Sequence, residues 1–250
     1  MQVKEVMKRT FTTATMSALT CAMTLVSGAA TADEITLAAG AGFRRPLSEL
    51  SSAYEKSTTH KVAQIYGHMG QVIAQAKDSG KVAIVCGDRV VLDNAKGVQF
   101  SSFARLGSGK LVVVFRKGLA LKTPEDIALA DIKRVGIPDQ TNAIYGKAGR
   151  QFLDRTKLAS QIDPKLLPVA TVPQVTSYVI SGDVDAGFVN ATDAIGAGNN
   201  VGGFVEVDQK LYDPVEVSCG LVTSSPAAAG FLAFLDSAEA NGILQRYGLR

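Results

Sequence analysis

The chain has 250 residues, 46% of them hydrophobic, and 26 Lys and Arg against 23 Asp and Glu give a formal net charge of +3. Three of the bases and one acid (Lys4, Lys8, Arg9 and Glu5) lie within residues 1–32, so the remainder is close to neutral. That balance excludes a surface built to hold nucleic acid or to coat a membrane by charge, and the length suffices for one large core or two small ones.

Lys4, Lys8 and Arg9 precede an apolar stretch at residues 14–26, and Ala30-Thr31-Ala32 offers a small-residue cleavage site. Residues 1–32 therefore read as a secretory signal peptide cut before Asp33, and the chain is expected to be exported. No other stretch is long enough to span a bilayer. Cys21 leaves with the signal, and Cys86 and Cys219 remain, each inside a predicted buried strand. An oxidising compartment allows a disulfide between them; two free buried thiols acting as small hydrophobes is the other reading.

Residues 35–39 form a short apolar run that breaks at Gly40-Ala41-Gly42, after which Leu47, Leu50 and Tyr54 recur at helical spacing. This is a strand, a glycine loop and a helix. Pro46 suits the helix's first turn, and such a loop aims free backbone N–H groups at an anion. Residues 61–66 (KVAQIY) are a second strand, stopped by Gly67-His68-Met69-Gly70, with a short helix over residues 71–77. Residues 82–86 (VAIVC) are a continuous apolar run, as in a strand covered on both faces. A short helix follows Gly87-Asp88, and residues 111–115 (LVVVF) are the next strand. Thr123-Pro124 marks a helix start.

The same grammar then repeats. Residues 135–137, 168–172, 185–189 and 215–222 read as strands, and residues 143–153, 175–180, 191–195, 227–235 and 239–247 as helices. Strands alternating with helices in two groups predict an α/β chain with mostly parallel sheets. Ligands of open α/β sheets sit beyond the carboxyl ends of strands. That rule directs attention to residues 40–45, 67–70, 138–143 and 172–174 and to Asn190.

No catalytic constellation stands out. The two histidines are His60, in a surface turn, and His68, and no nucleophile-elbow sequence accompanies them. HExxH, CxxC and phosphate-loop patterns do not occur. Arg45 stands where the third glycine of a dinucleotide loop belongs. The expectation is a binding protein without a cofactor, not an enzyme.

These loops resemble the periplasmic molybdate-binding protein family, the solute receptors of molybdate and tungstate importers. The carriers are ITLAAGA at residues 35–41, the strand at residues 111–115, VGIP at 135–138 followed by IYGK at 144–147, SGDVDAGFV at 181–189 and ILQRYGL at 243–249. The resemblance implies a two-lobed type II periplasmic-binding-protein fold, each lobe a mostly parallel sheet flanked by helices, with the ligand cleft between lobes. It implies lobe I at residues 33–110 and 218–250 and lobe II at residues 111–217. It also implies delivery of the ligand by a monomer to the membrane permease of an ABC importer.

The family's ligand side chains do not carry over. Gly42 stands where a serine follows the first strand, Met69 where a second serine opens the second helix, and Asn190 where a tyrosine reaches in from the other lobe. Ala143 and Val172 match positions that give backbone N–H groups. Losing hydroxyl donors to a buried dianion, at about 1.5–3 kcal/mol each, argues against plain molybdate. The candidate ligand set is Ala41, Gly42, Phe43, Arg44, Arg45, His68, Met69, Gly70, Asn142, Ala143, Val172 and Asn190.

Three readings of the guest follow. In one, Arg44 or Arg45 supplies planar donors to a differently shaped anion, against the alternative that both lie on the solvated helix face. In another, Phe43 and Met69 wall a small organic or metal-complexed anion, with Asn190 as a neutral donor and acceptor. In the last, His68 and Met69, with a thiolate from Cys86, bind a soft metal in a sensory or chaperone-like module that serves a partner other than a permease. Against the metal, Met69 packs beneath the cleft and His68 merely lines it.

Overall fold

A computed structural model of the chain describes residues 33–250; the signal peptide expected at residues 1–32 lies outside the described residues. The first group of elements runs β1 (Glu34–Gly40), α1 (Arg44–Ser57), β2 (Lys61–Gly67), α2 (Met69–Ser79), β3 (Val82–Asp88), α3 (Arg89–Asp93) and β4 (Ser102–Gly109). The second runs β5 (Leu111–Phe115), β6 (Val135–Pro138), α4 (Ile144–Arg155), α5 (Ala159–Ile162), β7 (Leu166–Val169), α6 (Val172–Ser181), β8 (Ala186–Asn190), α7 (Ala191–Ala197) and β9 (Gly203–Glu206). The chain then continues as β10 (Val215–Leu221), α8 (Pro226–Phe234) and α9 (Ala238–Arg246).

Two five-stranded sheets result, ordered β2-β1-β3-β10-β4 and β7-β6-β8-β5-β9. They are mixed, not mostly parallel. In the first, β1 runs parallel to β2 and β3, while β10 is antiparallel to both β3 and β4. In the second, β6 is parallel to β7 and β8, and β5 is antiparallel to β8 and β9. The antiparallel members surround the strand that enters from the other lobe. β10 returns from the second group and β5 leaves the first, and each enters its sheet against the direction set by the βαβ units.

The cores follow the sequence pattern. β3 buries every residue through Gly87 and β5 buries all five, as their unbroken apolar runs require. α1 buries Leu47, Leu50 and Tyr54 on one stripe, and full burial of a leucine-sized side chain contributes about 1.5–3 kcal/mol. Tyr54 Oη donates to Ala227 O at 2.9 Å and so ties α8 onto α1. Ser225 and Ser237 cap α8 and α9 by accepting from Ala228 N and Ala240 N, both at 3.1 Å.

Cys86 and Cys219 are bonded as a disulfide that joins directly paired residues of β3 and β10, so the free-thiol reading does not hold. Pro124–Ala128 is a 3-10 turn, opened by a capping box between Thr123 and Asp126. β4 and β9 lie where the sequence showed no strand. The strand expected at residues 168–172 is β7, which ends at Val169, and Val172 opens α6. Among the described residues no helix is long and apolar enough to cross a membrane.

Candidate functional site

Four element starts meet between the sheets. β1 ends at Gly40 and turns through Ala41–Phe43 into α1. β2 ends at Gly67, and His68 caps α2, its Nδ1 accepting from Gln71 N at 3.3 Å. From the second group come α4 with Ala143 at its cap and α6 with Thr171 at its cap, and neither makes a side-chain cap hydrogen bond. The first turns of α4 and α6 therefore keep backbone donors free, with the positive end of each helix dipole behind them.

These starts enclose a cavity of about 20 Å³, room for about one water molecule. Of the residues expected at the site, Ala41, Gly42, Phe43, His68, Met69, Ala143 and Val172 line it. Phe43 and Met69 are almost fully buried. The Met69 sulfur packs over Gly40 and Gly87, where a Cβ at residue 87 would fall 2.6 Å from it. Phe43 meets Tyr145 edge-on, with ring centroids 6.1 Å apart. The walls are thus mainly apolar, and the polarity comes from backbone and from His68, Tyr145 and Thr171.

Asn190 does not line the cavity. It is fully buried, and its Nδ2 donates across the lobes to Gly42 O at 2.9 Å, leaving Oδ1 without a partner. The two arginines also lie elsewhere. Arg44 is exposed, its guanidinium 5.1 Å from the Tyr66 ring centroid. Arg45 reaches across the lobes, its Nε 3.4 Å from Asp193 Oδ1, and Thr176 Oγ1 donates to the other oxygen of the same carboxylate. Burial pushes the Asp193 carboxyl above the usual carboxylate range, and the Thr176 hydrogen bond and the Arg45 charge only partly oppose it.

Gly70 and Asn142 sit beside the cavity, in a larger groove of about 800 Å³ formed by both groups of elements. Asp139, next to Asn142, has its carboxyl held below the usual range by backbone N–H donors from Asn142 and Thr141.

The metal reading loses a donor. Cys86 is in the disulfide and has no thiolate to give. The His68 Nδ1 is engaged by Gln71 N, and the described residues hold no cluster of three or more His, Cys, Asp or Glu.

Sequence reasoning passed over Thr171, Tyr145 and Asp193. Thr171 fell inside a misplaced strand, although Pro173 two positions on marks a helix start. Tyr145 was visible only as part of the IYGK motif. Nothing local distinguishes Asp193, whose role depends on an arginine 148 residues away.

Residues 35–250 match the family described as bacterial extracellular solute-binding protein. The chain is 27% identical over 252 residues to the molybdate-binding protein ModA of Rhodobacter capsulatus, covering 94% of this chain and 96% of that one. It is likewise 27% identical over 239 residues to ModA of Azotobacter vinelandii, covering 90% and 92%. The solved periplasmic molybdate-binding protein of Azotobacter vinelandii superposes with a TM-score of 0.79 at 22% identity, covering 86% of this chain and 98% of that one. The chain belongs to the bacterial extracellular solute-binding protein family, and its two-lobed fold is that of the periplasmic molybdate-binding proteins it resembles.

Proposed function

We propose that this protein captures a small anion between its two lobes in the periplasm and hands it, as a monomer, to the membrane permease of an ABC-type importer. The lobes of this reading divide at the two crossings between sheets, one at Lys110 and one ahead of β10. The observation that carries it is the convergence of element starts from both lobes on one cavity, with α4 and α6 left uncapped by side chains. Backbone donors at helix starts favour negative charge whatever the local side chains. No bond is made or broken, and lobe closure is the working step.

Plain molybdate is not the proposed guest. Gly42 and Met69 offer no hydroxyl, and Asn190 spends its amide on Gly42 O. Each lost donor to a charged oxygen costs about 1.5–3 kcal/mol, and every 1.4 kcal/mol is tenfold in affinity.

A thermal-shift screen of the purified protein tests this reading. Molybdate, tungstate, sulfate, phosphate and a set of small carboxylates and phosphomonoesters form the anion arm, and divalent metals the other. A ligand at a hundred times its Kd stabilises by about 2.7 kcal/mol, a shift of several degrees. The expected result is a shift with one of the anions and none with micromolar molybdate. A shift with micromolar molybdate overturns the exclusion; shifts confined to metals overturn anion capture itself.

A further inference from the structure

The larger groove lies beside the small cavity, and Met69 and Ile144 line both. It lies between α3 of the first group and α4 of the second. At about 800 Å³ it has the size of an ordinary small-molecule site, far more than a tetrahedral oxyanion fills. Apolar side chains come from both sides, Ile73, Val90 and Val91 from the first group and Ile144 and Ala148 from the second. Val90 is 61% exposed, the most open large hydrophobic residue among those described. An exposed apolar side chain that lines a concave groove is a candidate binding surface.

The polar part of the groove carries two lysines and two aspartates. Lys96 comes from the first lobe and Lys147 from the second, and among the described residues neither ammonium forms an ion pair. Two carboxylates face them. Asp213 is already held by Arg155 and by the Gln151 amide. Asp88 accepts from Val90 N at 3.3 Å at the start of α3. Burial raises its carboxyl above the usual range, and the Val90 hydrogen bond and the Lys147 charge pull against that. With Asp213 held by Arg155, two lysines without an ion-pair partner remain, one from each group of elements.

We infer that the groove is the ligand compartment and that it takes a small organic anion, a carboxylate or phosphomonoester whose apolar body lies on Val90, Val91 and Ile144 and whose charge is met by Lys147 and Lys96. The inference rests on the anion-capture reading and narrows it: the cavity of about 20 Å³ has room for about one water molecule, so the guest itself lies in the groove beside it. An inorganic oxyanion has nothing to place on the valine wall, and an uncharged apolar molecule leaves both ammonium groups unused. A ligand that bridges Lys96 and Lys147 also touches both lobes, as a ligand that drives closure must.

Calorimetric titration with phenyl phosphate and with inorganic phosphate tests it. Both carry the same charged head; only the first has a body. Phenyl phosphate is expected to bind at least tenfold more tightly. Lys147→Ala is expected to weaken phenyl phosphate at least tenfold, and so is Val90→Asp, which puts a like charge on the exposed wall without touching the core. Equal binding of the two phosphates, or variants that leave phenyl phosphate unchanged, overturns the inference while anion capture stands. Failure of both phosphates to bind also overturns it, and anion capture is then decided by the oxyanion arm of the thermal screen.

Discussion

A side chain on residue 42 would put its Cβ 2.8 Å from Asn190 Oδ1, inside any ordinary contact distance. Asn190 has no room to retreat, because it is fully buried and its Nδ2 holds Gly42 O. The two positions are matched: the glycine is bare because the asparagine fills the space. Gly42→Ser, which restores the hydroxyl of the resembled family, is therefore expected to lower the unfolding free energy by about 1–3 kcal/mol through overpacking. Adding Asn190→Ala should recover part of that loss, with a coupling above about 0.5 kcal/mol. Urea midpoints of the two single variants and the double variant measure it, and a neutral Gly42→Ser would show that the lobes are not held this closely. The departures of Gly42, Met69 and Asn190 from the resembled pattern were legible in the sequence; that Asn190 holds Gly42 O and stands off the cavity was not. Where the Arg44 and Arg45 side chains go was not legible. Both sit at the start of α1, and where a long side chain goes from there depends on Tyr66 in β2 and Asp193 in α7.

Whole elements were legible where the apolar run was continuous, as in β1, β3 and β5, and the helices with a capped start were legible too. β4 (SFARLGSG) and β9 (GFVE) were not, because glycines and exposed polar residues dilute their alternation and pairing with β10 and β5 holds them. The direction of β10 was equally hidden, since a strand's apolar run is the same read either way. That direction has a consequence. Antiparallel pairing sets Cys219 opposite Cys86, and the disulfide closes a loop across 133 residues that contains the whole second sheet. A cross-link of this kind stabilises mainly by restricting the unfolded chain, typically by about 2–4 kcal/mol. The Cys86→Ala, Cys219→Ala double variant is expected to lose that much in denaturant melts. Thiol titration of the unfolded, unreduced exported protein should find no free thiol, and two reactive thiols would contradict the bridge.

At the scale of the molecule, the two groups of elements meet along a seam. Tyr145 lies in it, its ring against Phe43 and its hydroxyl beside Gly109, close to the crossing to β5. At the crossing Tyr212 Oη accepts from Leu111 N at 3.0 Å. On the far side of the seam Arg45 meets Asp193, and here two effects compete. The Asp193 side chain is 4% exposed and that of Arg45 is 41% exposed, so the arginine keeps much of its water while the carboxylate has lost nearly all of it. Desolvation wins, and the Asp193 carboxyl is raised. An acid whose native pKa lies above its unfolded one binds its proton more tightly when folded. Below about pH 4 it is protonated in both states and costs nothing. As pH rises through the raised native value, the cost of the buried charge develops and stability is lost; above that value the loss is constant. Asp193→Asn has no such term, while other carboxylates with lowered pKa values, such as Asp139 and Asp185, act alike in both proteins. The unfolding free energy of the wild type minus that of Asp193→Asn is therefore expected to fall as pH rises from about 4 and then to level. Urea melts at a series of pH values read it directly. A difference that grew with pH would mean that Arg45 over-compensates the burial, and the contact would then be an ion pair that holds the lobes shut instead of a charge tolerated between them.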